Sequence, residues 1–181
     1  MEDKNTAKGY ARLVSYTVPK HWRLLVKFLS AINRNIEASK VAARYGKMNW
    51  DTGFQANLGT NARLAVFSGL AGGTGSQTAF GWLAVGTSNT AVSASHTALQ
   101  AEITDSGLQR AASTNSRTTT TQTNDTLNMT KTWTASGSKT VEEIGFFNAS
   151  SAGVMGGRCL TGTKAFVNGD TYAATYKVVF S

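Results

Sequence analysis

The sequence predicts a mainly β fold: an antiparallel β-sandwich preceded by an N-terminal extended arm and an amphipathic α-helix. Three observations predict it. From residue 80 onward the apolar positions recur with period two, the mark of half-buried strands. Charged residues make up only 15% of the chain, and Thr, Ser, Asn and Gly take their place, a composition suited to short strands and polar turns. The basic charge is also unevenly placed. Residues 1–47 hold ten Lys/Arg against Glu2, Asp3 and Glu37, so this quarter carries +7 of the net +8. These contrasts divide the chain into a basic docking arm with its helix (1–47), a glycine-rich connector (48–79) and the sandwich (80–181).

Residues 1–18 read as an extended tail, alternating through Tyr10-Ala11-Arg12-Leu13-Val14-Ser15-Tyr16. Pro19 stands where the first helical residue tolerates it. From there to Tyr45, Trp22, Leu25, Val26, Leu29, Ile32 and Ile36 fall at the i, i+3/i+4, i+7 spacing of an amphipathic helix, with Gly46 as its stop. An unbroken helix here would be roughly 39 Å long at 1.5 Å per residue. A break is expected near Asn33–Asn35. The stripe Trp22, Leu25, Leu29, Ile32 and Ile36 must be buried somewhere. With Arg23, Lys27 and Arg34 beside it, it is the expected partner-docking surface of the arm.

The connector is punctuated by six glycines, Gly53, Gly59, Gly69, Gly72, Gly73 and Gly75, and 61–67 reads as a short helix within it. Strands are expected at Phe80–Val85, Leu127–Trp133, Val141–Phe147, Val154–Leu160 and Tyr172–Phe180. Turn chemistry at Asn168-Gly169-Asp170 precedes the last of them. The threonine-rich stretch 113–136 reads as strands with a solvated Thr face. In Leu127-Asn128-Met129-Thr130-Lys131-Thr132-Trp133 the apolar face contains one exception, Lys131.

Chemistry is poorly represented. Gly69–Ser76 lacks the Gly-Lys-Ser/Thr ending of a phosphate loop and no strand leads it into a helix. His21 and His96 have no carboxylates at ligand spacing, and the single Cys159 excludes an intrachain disulfide or a cysteine zinc site. No serine sits in a Gly-x-Ser-x-Gly elbow. Glu142 and Glu143 are adjacent, so a strand would point them to opposite faces. The expectation is a non-enzyme with no cofactor and no metal. No stretch approaches the ~18 consecutive apolar residues of a membrane span. A soluble protein made in a cytoplasm is expected.

Several motifs resemble those of small structural proteins of tailed bacteriophages. Leu83-Ala84-Val85-Gly86-Thr87 is followed by a polar stretch and His96-Thr97-Ala98-Leu99-Gln100-Ala101-Glu102. Glu143-Ile144-Gly145-Phe146-Phe147, Gly153-Val154-Met155, Gly169-Asp170-Thr171 and the lead-in Asn57-Leu58-Gly59 follow the same pattern. The resemblance covers residues 55–181, with Ser88 in place of a common glycine and His96 in place of the usual aspartate. It implies a non-enzymatic β-sandwich module of the kind labelled tail-fibre-like or virion structural. With the basic arm, the expectation is an accessory virion subunit docked on other virion proteins, decorating the capsid or forming a tail, collar or fibre component, and associating with copies of itself. Two alternatives stand beside it. One is a receptor- or carbohydrate-binding virion module using Trp82, Trp133 and Tyr172. The other is a DNA-binding accessory protein using the basic arm.

Overall fold

A computed structural model describes residues 8–180. The fold is mainly β. Its elements are β1 (Lys8–Thr17), α1 (Lys20–Ala31), α2 (Asn35–Tyr45), β2 (Lys47–Asp51), β3 (Gln55–Gly59), α3 (Ala62–Gly72) and β4 (Trp82–Gly86). They continue with β5 (Ala111–Ala112), β6 (Thr114–Thr118), β7 (Thr126–Thr134), β8 (Lys139–Phe147), β9 (Met155–Phe166) and β10 (Asp170–Val179).

All pairings are antiparallel, and the strands join in the order β5-β4-β8-β9-β3-β1-β10-β7-β6, with β2 branching off β1. The two outermost strands, β5 and β6, are separated in the chain by Ser113 alone. One continuous stretch therefore supplies both edges, and the sheet curls until it nearly closes as a barrel. The expected two-layer sandwich gives way to this single curled sheet. Near-closure hides edges that a sandwich would have to protect by other means.

Alternation explains what fills the barrel. Leu83 and Val85 of β4, Ile144 and Phe146 of β8, and Tyr172, Ala174, Tyr176 and Val178 of β10 all enter one buried cluster. Aromatic rings pack across it, edge to face or tilted. Phe67 of α3 meets Phe80 at 5.2 Å, Phe80 meets Phe146 at 4.9 Å, and Phe146 meets Tyr176 at 4.8 Å between centroids. A second chain runs Trp50, Phe166, Tyr172 and Trp133. The close fit needs glycine at one point: a Cβ on Gly156 would lie 2.1 Å from the Phe146 ring.

Two expectations about the first sixty residues need correction. The extended tail is a strand over its described part. β1 lies inside the sheet, bonded to β10 from Lys8↔Val179 to Thr17↔Asp170 and to β2 and β3 on its other side. Residues 1–7 of that tail lie outside the described residues. The glycine-rich connector is likewise structured: it contributes β2 and β3, and the short helix expected at 61–67 is present as α3. The pairing partners of β2 and β3 lie far away in the chain, so local period does not reveal these strands. The Asn168-Gly169 turn is present, with Gly169 at φ 91°, but β9 and β10 do not pair.

The stretch from Thr87 to Ile103 forms no helix. Its backbone is claimed by the sheet instead. Thr87 N–H bonds Ala101 O, Ile103 N–H bonds Val85 O, and Gly86 bridges Glu102. A register shift between Val141 and Glu143 turns Glu143 to the outside of the barrel. There, with Arg158, it forms a fully buried ion pair beneath the loop. Glu143 accepts hydrogen bonds from Ala101 N (2.8 Å) and Gln100 N (3.2 Å), while Arg158 donates to Thr90 O (2.8 Å). Leu99 closes over Ala84, Phe147 and Met155 in a small outer cluster. The loop is a structural strap, held at both ends by one ion pair.

Candidate docking surface

The surface expected to dock a partner is built by α1 and α2. Pro19 precedes α1 with φ −53° and ψ 145°. The helix expected from Pro19 to Tyr45 is broken where the sequence predicts: Asn33 adopts φ 60°, which separates α1 from α2. The result is an antiparallel hairpin, since Trp22 near the start of α1 stacks on Tyr45 at the end of α2 (4.1 Å, 10°). Its inner seam is small: Val18, Val26, Ala38 and Ala42 are completely buried, with Trp22 and Leu29 packed against them.

The hairpin is fixed to the barrel by polar contacts. β6 leaves β7 after Thr114↔Thr130, so the edge of β7 beyond Thr130 lacks a strand partner on that side. Side chains take the strand's place. Thr132 N–H donates to Asn35 Oδ1 (3.1 Å), and Ser30 Oγ donates to Thr132 O. Thr132 Oγ1 donates to Asn35 O (3.1 Å), and Ser39 Oγ lies 2.7 Å from the same hydroxyl. Asn35 Nδ2 donates to Asn33 Oδ1 (2.7 Å) and Thr114 Oγ1 (3.1 Å). Asn35 is fully buried, and its satisfied amide is the keystone of this junction.

This arrangement divides the expected docking residues. Trp22 and Leu29 turn inward and serve the hairpin itself. Ile32 (50% exposed), Ile36 (38%) and Leu25 (37%) remain open to solvent. Leu24 (77%) and Phe28 (58%), which the predicted stripe omits, extend the open row. Their i, i+4, i+8 relation with Ile32 is the signal that would have found them. Of the expected cations, Lys27 is exposed, while Arg34 pairs with Glu37 at 2.9 Å. Arg23 is engaged in the fold, donating from Nε to Val18 O (2.7 Å). The outcome is a solvent-facing apolar row on α1, on a hairpin whose Lys20, Lys27, Lys40 and Arg44 are also exposed.

The other sequence features fall into structural places. Trp133 and Tyr172 are buried and stack on each other at 5.2 Å, so neither can offer a face to a sugar; Trp82 is half-buried. Gly69–Ser76 spans the C-terminal end of α3, where Thr74 N–H bonds Gly69 O, the reverse of a helix N-terminus cradling phosphate. Glu102 is held by Arg110 in a two-point ion pair (2.9 and 2.6 Å), and that guanidinium stacks 3.6 Å from the Phe147 ring centre. No group of three or more potential metal-ligating side chains occurs among the described residues. No described helix is long and apolar enough to cross a membrane.

Cys159 sits in the barrel core, where desolvation pushes its thiol up to about 12. A thiolate is the reactive form. The folded protein should therefore leave Ellman's reagent unreacted at pH 8 over an hour, and release one equivalent once unfolded in guanidinium. Rapid labelling of the folded protein would place Cys159 outside the core.

No protein-family model, curated protein or solved structure matches the chain.

Proposed function

We propose that the chain is a non-enzymatic virion structural protein of a tailed bacteriophage, an accessory subunit docked on a neighbouring virion protein through the α1–α2 hairpin. The observation that carries this reading is the outward row Leu24, Phe28 and Ile32 on α1, with Leu25 and Ile36 also exposed on the hairpin. An apolar row on a helical pair that has already satisfied its own core suits burial in a second protein. The resemblance of residues 55–181 to phage structural proteins supports the setting. In this reading the docking arm is the hairpin, anchored by β1 within the sheet, and the β-rich body is displayed. The exposed lysines of the hairpin suit an acidic recipient surface. A single displayed body with one docking element fits capsid decoration at least as well as a tail, collar or fibre position.

The experiment has two steps. The protein should first be found by mass spectrometry in purified particles of the phage that encodes it. The double variant Leu24→Glu/Phe28→Glu should then be lost from particles by tenfold or more. Its unfolding free energy should stay within about 0.5 kcal/mol of wild type, as for exposed positions generally. Particles that lack the protein, or that retain the variant in full, would overturn the reading. A protein acting on DNA would instead keep its function in this variant and lose affinity steeply with salt.

A further inference from the structure

Lys131 is the single interruption of the apolar face of β7, between Met129 and Trp133, both of which are buried in the core. It is itself only 9% exposed. Among the described residues no carboxylate pairs with it and no group accepts its hydrogen bonds. The stem of Lys131 is thus buried, while its unpaired ammonium is not among the fully buried polar atoms and so opens to solvent. Burial accordingly lowers its pKa.

The surroundings show where a counter-charge would sit. Lys131 lines a groove of about 410 Å³ at the barrel's seam, where β7 has lost β6 and the end of α1 passes over the gap. Lys27 and Ala31 of α1 line it together with Gln109, Ala111 and Trp133. The groove therefore offers a second lysine, an amide and apolar surface.

We infer that this seam groove is a carboxylate-binding site, with the unpaired Lys131 as its counter-charge and Lys27 as the second cation. A carboxylate supplies one negative charge to the one lysine that has a largely buried stem and no ion-pair partner, and its apolar stem suits the Ala and Trp surface. A phosphate fits less well: no arginine lines the groove to grip it at two points. The carboxylate has two sources, a free small acid or an acidic side chain of a docked protein. The site does not depend on the docking function proposed above.

The test uses the full-length protein with ¹³C-labelled lysine side chains, following the Lys131 ε-methylene signal by NMR. The probes are sodium propionate and a blocked Ala-Glu-Ala peptide, with sodium chloride and sodium phosphate at equal ionic strength as controls. At least one carboxylate should shift the Lys131 signal saturably, at a concentration at least tenfold below any effect of chloride or phosphate. Tighter binding of propionate identifies a free acid; tighter binding of the peptide identifies a protein side chain. Lys131→Met should fold at least as stably as wild type and abolish the shift that the same carboxylate causes at the Lys27 ε-methylene, followed in parallel as the readout of binding in this variant. Lys27→Met, at an exposed position, should weaken binding at Lys131 several-fold. The inference is overturned if neither carboxylate moves Lys131 beyond the controls, or if Lys131→Met still binds. Because this readout requires no particle, its failure is distinct from failure of the docking function.

Discussion

Replacing Glu143 by alanine is expected to lower the unfolding free energy by about 3–5 kcal/mol, the usual cost of stripping one partner from a buried ion pair. Both residues are fully buried, so the change leaves the Arg158 guanidinium in the interior without its counter-ion. It also removes the acceptor for Gln100 N–H and Ala101 N–H. Two consequences should appear together. Urea unfolding should shift to a much lower midpoint, and the Gln100 and Ala101 amides should lose protection from hydrogen exchange before the barrel amides do. The double variant Glu143→Leu/Arg158→Met should be less damaged than Glu143→Ala alone, because it buries no unpaired charge. A single-variant cost below about 1 kcal/mol would mean that water reaches Arg158 readily and that the strap is not held by this pair.

The second large effect is expected at the centre of the aromatic chain. Phe146→Ala should cost about 3–5 kcal/mol, as for other buried phenylalanines. Phe146 touches Phe80 and Tyr176, and its ring fills the space that a Cβ at Gly156 would need. In the wild-type background Gly156→Ala should cost about 1–3 kcal/mol by overpacking. In the Phe146→Ala background the same change should cost markedly less, because the added methyl enters the vacated space. The two substitutions are therefore expected to be non-additive in urea unfolding. Strict additivity would show that the ring and the glycine do not constrain each other.

Sequence reasoning succeeded where structure follows local period. The strands containing Met129, Ile144 and Tyr176 were legible from alternation, and the break between α1 and α2 from Asn33 and its neighbours. It failed where long-range pairing decides. The alternation of Tyr10–Tyr16 was visible, but nothing local indicates that Leu13 lies opposite Ala174 in the middle of a sheet. β2 and β3 are five residues each and lie among glycines, too short to establish a period. The segment His96–Glu102 has a helical composition, yet Glu143, more than forty positions away, takes its amide protons. The docking row was half legible. A single amphipathic stripe was readable, but its division into an inner seam and an outer row depends on how α2 folds back on α1. Lys131 was visible as an irregularity in a pattern, and only its burial without a partner gives that irregularity a chemical meaning.

The pairing of β1 with β10 has a consequence for how the protein is made. β1 is the first described strand, and its full-length neighbour, β10, is the last described one. Until that strand emerges, β1 keeps an unmatched edge, and contacts this distant in sequence form slowly. The barrel therefore closes only once β10 is available, while the α1–α2 hairpin, whose contacts are local, can form before it. The same pairing brings the two ends of the described chain together, Lys8 beside Val179.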